Sequence, residues 1–300
     1  MRMAEEQEQE FRERLATLAG EEISRNANAP LVPLYHYTGA EGALGIVSSG
    51  EIWATDADYL NDPSEILYGR DLIRNVWHDF KRGTTALASV QDVVDSMTTV
   101  LYEKWMYATY LTCFSERRNV LSQWRAYSDS GTGYSLEFDS TQLIANASGF
   151  HLLRVDYCLE SQRERIVSFF RSLTSLIEED LPARFVKYIF ECMEEVLLTF
   201  IVSFKNPAYS EEKEWRLVQL HSTGTLAPGL QFRATRGRIV PHVAVAAHAA
   251  EKPRLPLVSV TVGPGADAPR AEKSIKQALQ TFGYSADAVK VISSNIPFRP

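Results

Sequence analysis

The feature that most restricts the fold of this sequence is a series of short β-rich segments, separated by helices in no regular order. In one of them, residues 131–139, apolar positions alternate at Tyr134, Leu136 and Phe138, as expected of a strand with one buried face. A regular strand–helix alternation would indicate a doubly wound parallel sheet, and this sequence has none. We therefore predict an α+β fold with mixed, mostly antiparallel sheets of short strands and inserted helices. The predicted strands cover residues 31–37, 52–55, 109–115, 131–139, 151–157, 215–220, 231–234, 239–247, 257–262 and 288–292.

Two long segments, at about 159–179 and 181–204, predict a helical hairpin inserted among these strands. In the second segment Tyr188, Cys192 and Val196 recur at helical spacing, which predicts a buried helix. Lys187 and Glu191 are among the charges that interrupt it, so we do not expect it to cross a membrane. The other predicted helices cover residues 4–19, 39–49, 63–80, 90–107, 119–127 and 270–282.

The chain divides into an N-terminal part and one large domain. We predict a polar helix at 4–19 and a linker at 20–31, so residues 1–30 form an appendage that packs on the domain or mediates contacts. Residues 31–300 are predicted to form a single α+β domain. Since Met1–Glu10 is acidic with no apolar stretch, and three cysteines are scattered without pairing motifs, we expect a soluble protein in the reducing cytoplasm.

The charge balance argues against a protein built to bind duplex nucleic acid. The formal net charge is −7, whereas such proteins usually carry a basic surface. A local basic patch at Arg233, Arg236 and Arg238 leaves nucleic-acid binding open, although a solvated turn is the simpler interpretation.

Polar residues that exceed structural need cluster first near the N-terminal end of the domain. His36 lies in an aromatic strand between Tyr35 and Tyr37, where it is either a core histidine or a ligand-binding residue. The segment DADYLNDPSE at 56–65 predicts a turn followed by a helix start, with Asp62 as the cap and Pro63 at the first helical position. Asn61 and Glu65, however, exceed what a cap requires.

Two later segments add further candidates. Gln123 and Arg125 flank a tryptophan in a short helix, and an arginine of this kind suits a phosphate or carboxylate. Glu212 and Glu214 precede a tryptophan-containing strand and would share one face if the strand began by Glu212. They are either a solvated strand edge or a site that combines an anionic carboxylate with one of raised pKa.

Other recognisable chemistry is poorly supported. No GxGxxG, P-loop, GxSxG or HExxH motif occurs, and no spacing predicts a metal site. A Cys–His nucleophile pair would require Cys113 near His36, and neither residue carries a local signature for it.

The order of the motifs resembles the bacterial DUF2971 family, whose function is unknown. The resemblance spans about residues 30–299 and rests on the segments LYHYTGAEGALGIVSSGEIWATDADYLNDPSE, CFSERRNVLSQWRAYSDSGTGYSLEFD, FKNPAYSEEKEWRLV, SVTVGP and SSNIPFR. It implies no particular activity.

A more distant resemblance is to the ADP-ribosyltransferase fold. That superfamily has a first-strand histidine or arginine that holds an NAD ribose, a middle serine, and a late glutamate, sometimes in Glu-x-Glu. The resemblance implies that His36, in a His-x-Thr strand, takes the first position and Glu214, with Glu212, the last, and that NAD is the substrate. The implied ligand-binding residues are His36, Tyr37, Thr38, Asn61, Ser115, Gln123 and Arg125, with Arg125 at the pyrophosphate and Gln123 or Asn61 at an amide or the acceptor.

We therefore favour an enzyme, an ADP-ribosyltransferase or NAD glycohydrolase, such as a toxin or phage-defence effector. Its partners would be a nucleotide or dinucleotide ligand and an unidentified acceptor, with no membrane. One alternative is a non-catalytic nucleotide-sensing or interaction module. The other is a metal-dependent enzyme acting on nucleotides or nucleic acids through Asp62, Glu212 and Glu214.

Overall fold

A computed structural model describes most of the chain. The described residues are 2–27, 32–60, 64–83, 88–103, 107–177, 185–222, 226–235, 237–246, 254–285 and 287–298. They form a mixed α+β structure with an open sheet, as predicted.

The described helices agree with the predicted ones, apart from shifted ends and one short helix that was not predicted, α6. The helix predicted at 39–49 ends as expected, since Gly50, directly after α2, has the left-handed conformation (φ 70°) of a helix cap. The α-helices are α1 (Arg2–Ala27), α2 (Ala40–Ser49), α3 (Ser64–Gly83), α4 (Ala88–Glu103), α5 (Leu121–Tyr127), α6 (Ser140–Asn146), α7 (Leu159–Leu176), α8 (Val186–Ser203) and α9 (Ala268–Thr281).

The described strands form one ten-stranded sheet. They are β1 (Leu34–Thr38), β2 (Glu51–Asp56), β3 (Tyr107–Ser115), β4 (Tyr134–Phe138), β5 (His151–Arg154), β6 (Glu214–Ser222), β7 (Leu230–Thr235), β8 (Arg238–Ala246), β9 (Leu257–Val262) and β10 (Lys290–Ser293). Their order is β10-β9-β4-β1-β3-β2-β8-β7, while β6 pairs with β3 and β5. Each named pair is antiparallel except β9 with β10, so the prediction of a mostly antiparallel sheet is confirmed.

The sheet separates two apolar cores. Side chains alternate between the two faces of a strand, and neighbours in β6 accordingly belong to different cores: Leu217 to one, Val218 to the other. The Val218 core is filled mainly by α1, α3, α7 and α8, and the Leu217 core by α2 and α9 against the strands. The sheet therefore lies between two layers of helices.

Helix α1 is longer than predicted and packs closely on the domain. The predicted linker is wrong for residues 20–27, which continue the helix. Glu22, within this extension, is buried beside Arg165 of α7. Farther along α1, Phe11 stacks on Phe185 with ring centroids 4.8 Å apart. Two roles were suggested for the N-terminal part, packing on the domain and mediating contacts. The structure shows the first, since α1 packs on the domain.

Helices α7 and α8 correspond to the predicted hairpin. The rings of Phe169 in α7 and Phe200 in α8 pack edge to face at 6.1 Å, and α3 contacts both helices. The segment that joins them, 178–184, lies outside the described residues. Within the described chain no helix has both the length and the apolar character required to span a bilayer.

Candidate functional site

The sheet opens at its centre, along one edge of β3. Strand β6 pairs with β3 over its full length, from Tyr107 to Ser115, so β1 and β2 must share the other edge. On that edge β1 is paired at Ser115, and β2 at Tyr110 and Leu111. Residues 112–114 of β3 therefore face a gap between β1 and β2. A cavity of about 610 Å³ lies here and is lined by residues of β1, β2, β3 and β7 and of the approach to β6.

His36 of β1 lies in this gap. Its Nδ1 atom is 2.9 Å from the carbonyl oxygen of Cys113. Because a carbonyl only accepts hydrogen bonds, Nδ1 carries the proton and Nε2 remains an acceptor. Burial lowers the pKa of His36, more than the bond to Cys113 raises it, and the ring is therefore neutral. The neutral ring lines the cavity with one acceptor nitrogen to offer.

The structure does not support a Cys–His nucleophile pair. His36 contacts the carbonyl group of Cys113, and the Cys113 thiol instead interacts with Glu214. Burial, together with the Glu214 charge, raises the pKa of this thiol well above its ordinary value. The thiolate, which is the reactive form, is therefore disfavoured.

Two predicted ligand-binding residues line the cavity but already have internal partners. The Tyr37 hydroxyl donates to the carbonyl of Arg117 at 2.7 Å and accepts from the Val120 N–H. The Ser115 hydroxyl donates to the carbonyl of Glu212 at 2.6 Å and accepts from the Arg117 N–H. Both hydroxyls thus stabilise the loops around the cavity, and each makes its hydrogen bonds within the protein rather than offering them to a ligand.

Thr38 completes the β1 contribution to the cavity. Its hydroxyl packs against Gly42 so closely that a Cβ atom on that glycine would lie 2.1 Å from Oγ1. Glycine at position 42 therefore allows α2 to approach the end of β1 beside the cavity.

Three glutamates converge on one buried lysine beside the cavity. Lys205, only 2% exposed, follows α8 and its Nζ atom lies 2.5 Å from Glu212, 2.8 Å from Glu65 and 3.0 Å from Glu214. These three carboxylates come from α3, the turn before β6 and the first residue of β6. The Lys205 side-chain ammonium group thus fills the space between the three carboxylates, where a bound cation would otherwise lie.

Arg216 also binds two of these carboxylates, those of Glu65 and Glu214. It is fully buried, and its Nε and Nη2 atoms donate to the two oxygens of Glu214 at 2.8 and 3.1 Å. Nη2 also contacts Glu65, and Nη1 donates to the Val202 carbonyl at 3.1 Å. Both Glu214 oxygens are therefore engaged, since Oε2 also receives Lys205.

The pKa values of Glu212 and Glu214 are shifted in opposite directions. Burial alone would raise the pKa of Glu214, but the charges of Arg216 and Lys205 outweigh it and hold the pKa at about 2. For Glu212, burial raises the pKa more than Lys205 lowers it. Glu214 is thus a permanent anion, and Glu212 has the raised pKa expected of an acid–base group.

Glu212 and Glu214 do not lie on one strand, so the condition under which they would share a strand face is not met. Glu212 ends a short 3-10 helix, Pro207–Glu212, and β6 begins only at Glu214. Lys213 between them has the left-handed conformation (φ 46°, ψ 53°). This turn, rather than strand alternation, brings both carboxylates to Lys205. Trp215 and Leu217 of β6 are buried in the core.

The remaining three predicted residues differ in their position relative to the cavity. Gln123 of α5 lines the cavity, is 7% exposed and has no hydrogen-bond partner in the described part of the chain. Arg125 is exposed, lies outside the cavity lining and stacks over the Phe298 ring at 5.8 Å. Asn61 lies outside the described residues.

Comparison with known proteins agrees with the order of the motifs. The model of the DUF2971 family, a protein family of unknown function, matches residues 123–217. Within this segment, about a third of the chain, the protein is similar to the DUF2971 family, which supports the resemblance. The segment lies within the longer region, 30–299, over which the motifs resemble that family. No curated protein and no solved structure matches the chain.

The DUF2971 segment contains residues of the site that sequence reasoning missed. Lys205 and Arg216 both lie in it, and neither was singled out, because charged residues beside acidic ones usually form solvated surface pairs. The signal that was available is their position: Lys205 directly follows an apolar helix, and Arg216 alternates with Trp215 and Leu217 in a buried strand. Charges in such positions require buried partners.

Proposed function

We propose that this protein cleaves the bond between nicotinamide and ribose in NAD and transfers ADP-ribose to an acceptor or to water. One observation carries the proposal: His36 of β1 and the Glu212–Glu214 pair before β6 line the same cavity, at the gap between β1 and β2. These are the positions that the resemblance to ADP-ribosyltransferases assigns to the first-strand histidine and the late glutamates. An ADP-ribosyltransferase-like fold is part of the proposal.

The chemistry requires a carboxylate close to the ribose. The C1′–nitrogen bond breaks with its electron pair departing on nicotinamide, and positive charge develops at C1′. The acceptor hydroxyl or water then bonds to C1′ and loses its proton to a base. Two carboxylates of different pKa suit these two tasks.

Glu212 fits the base, and Glu214 fits the electrostatic role. Glu212 Oε1 has only a weak contact, 3.5 Å from the Tyr127 hydroxyl, and the side chain is 15% exposed beside the cavity. Its raised pKa suits proton transfer. Glu214 stays ionised and fixes Arg216 and Lys205, so its charge acts on the ligand from within the wall of the cavity.

His36 and Gln123 would orient the substrate. The unprotonated Nε2 of His36 accepts a hydrogen bond from a ribose hydroxyl. The amide of Gln123, buried without a partner, pairs with the carboxamide of nicotinamide, because an amide both donates and accepts. The amide faces the cavity, so its hydrogen-bonding groups are accessible to a ligand.

A second function, nucleotide binding without turnover, is favoured by a different observation. Both oxygens of Glu214 are already bonded to Arg216 and Lys205, and the hydroxyls of Tyr37 and Ser115 have internal partners. Because these polar groups already bond to one another, the site suits a sensor in which ligand binding rearranges the surrounding loops.

Nicotinamide release from NAD by the purified protein, with and without cell lysate as acceptor, tests the proposal. We expect Glu212→Gln and His36→Ala to reduce release by about 100-fold or more. The matched controls are Glu211→Gln, an exposed neighbour outside the cavity lining, and His151→Ala, an exposed histidine of β5; both should retain wild-type release.

No release by folded wild-type protein, with or without lysate, would reject the enzyme proposal. NAD binding that persists in that case, measured by calorimetry, would support the sensor instead. Equal loss in Glu211→Gln and Glu212→Gln would reject Glu212 as the base.

A further inference from the structure

Arg233, from the β7–β8 hairpin, provides a cationic group in the same cavity that the proposed reaction does not use. In the register of the sheet Thr55 of β2 lies opposite His242 of β8, and His242 lies opposite Gln231 of β7. Arg233, two residues after Gln231, is on the same face. This face carries Arg233 and Thr55 into the cavity lining, together with Trp53.

The guanidinium group is held in place by neutral groups. Its Nη2 atom donates to Thr55 Oγ1 at 2.9 Å, and the group lies over the Trp53 ring, 5.3 Å from the centroid. Trp53 packs in turn on the buried ring of His242 at 4.5 Å. Arginine stacked on tryptophan is oriented without being neutralised.

Arg233 has no carboxylate partner in the described part of the chain. Burial lowers its pKa, and no nearby charge shifts that pKa in either direction. The two buried cations of the site, Lys205 and Arg216, contrast with it, since each is paired with at least two glutamates. Arginine remains protonated in proteins, so a partly desolvated positive charge is left uncompensated here.

The neighbouring histidine does not supply the missing charge. Burial and the nearby Arg233 lower the pKa of His242, which keeps it neutral. His242 is 2% exposed, and its neutral ring carries no charge that could compensate Arg233. Arg233 thus lies in a polar, partly buried corner where no carboxylate contacts it among the described residues, although Glu51 of the same β2 face also lines the cavity.

We propose that Arg233 forms a phosphate-binding subsite, which holds the diphosphate of a nucleotide. Its remaining N–H donors form a fork that matches two phosphate oxygens, and such charge-assisted bonds are about twice as strong as neutral ones. Arg233 takes the role that the sequence suggested for Arg125, which lies outside the cavity lining. The subsite requires no bond cleavage and goes beyond the proposed reaction.

Calorimetric titration with inorganic pyrophosphate, ADP and adenosine tests the subsite. We expect pyrophosphate and ADP to bind the wild type, and Arg233→Gln to weaken both by at least tenfold. Arg233→Lys, which keeps the charge and loses the planar fork, should weaken them to an intermediate extent. Adenosine affinity should be the same in wild type and Arg233→Gln, which separates a phosphate subsite from a base-binding one.

Arg238→Gln is the matched control, because it removes the same charge from the same hairpin at an exposed position outside the cavity lining. Affinities equal in Arg233→Gln and the wild type, or lowered equally by Arg238→Gln, would overturn the subsite, as would no binding of either phosphate ligand. Each variant's thermal midpoint is measured, so that loss of binding is compared among folded proteins.

The subsite and the proposed reaction fail in different ways. Glu212→Gln should reduce nicotinamide release by about 100-fold or more, while pyrophosphate should still bind, because the Arg233 guanidinium is intact. Pyrophosphate binding that depends on Arg233, in a protein that releases no nicotinamide, would support the subsite and reject the reaction.

Discussion

At the scale of single residues, Glu214 couples the stability of the fold to pH. Its pKa of about 2 in the folded protein lies below the ordinary value of 4.5. Between these two values the unfolded chain binds the proton more readily than the folded chain does. The stabilisation is therefore fully present above pH 4.5 and is lost as the pH falls through 2. Glu212, with its raised pKa, acts in the opposite direction.

We expect the stability difference between wild type and Glu214→Gln to be largest near pH 7 and to shrink as the pH approaches 2. Its size should be on the order of 3 kcal/mol, since each unit of pKa shift corresponds to about 1.4 kcal/mol. Urea unfolding of both proteins across this pH range measures it. Glu211→Gln, an exposed neighbour, should follow the wild type, and parallel profiles for wild type and Glu214→Gln would contradict the coupling.

Local sequence identified three of the five residues of this ion cluster. Glu65, Glu212 and Glu214 stood out because they exceeded what a cap or a solvated edge requires. Lys205 and Arg216 did not, because Glu65 is 151 residues from Arg216 and only the fold brings them together. Residue type and spacing reveal groups that need partners, and long-range packing decides which partners they meet.

At the scale of elements, the junction between the 3-10 helix and β6 depends on one unusual residue. Lys213 has positive φ (46°), a conformation that costs a non-glycine residue about 1 kcal/mol or more. A β-branched residue is especially unfavourable there, whereas glycine adopts the conformation readily.

We expect Lys213→Gly to keep the free energy of unfolding within about 1 kcal/mol of the wild type, because relief of strain offsets the greater entropy of the unfolded chain. Lys213→Val should lower it by about 1–3 kcal/mol. Chemical denaturation measures both. Lys187→Val in α8, where the backbone is helical, is the control and should cost less than 1 kcal/mol. A glycine variant as unstable as the valine variant would show that the lysine side chain, and not its backbone, matters.

The elements themselves were largely predictable, and their ends were less so. The alternation in β4 and the helical spacing in α8 are local signals, and both elements lie where expected. The turn between Glu212 and β6 was not predicted, because a left-handed lysine has no sequence signature comparable to glycine. Residues 20–27 were predicted to be a linker, yet they continue α1, since the helix packs on α7 and α8, a long-range contact that the local sequence does not reveal.

At the scale of the whole molecule, packing within one helical layer stabilises the ion cluster beside the cavity. Helix α1 packs on α8, α8 leads directly to Lys205, and Lys205 binds the three glutamates beside the cavity. The arrangement explains why an N-terminal segment with few apolar residues is ordered against the domain. It also implies that α1 contributes to the stability of the folded unit.

Leu15 is the residue that tests this contribution. It is 2% exposed in the core between α1 and α8, where its carbonyl group lies 3.5 Å from the Cys192 thiol. Leu15→Ala should lower the free energy of unfolding by roughly 2–4 kcal/mol, because it removes buried methyl groups and leaves a cavity. Leu44→Ala, at a half-exposed position on α2, should cost less than about 1 kcal/mol. If α1 were an independent appendage, Leu15→Ala would leave the main unfolding transition unchanged, whereas an integral α1 shifts the whole transition as one cooperative step.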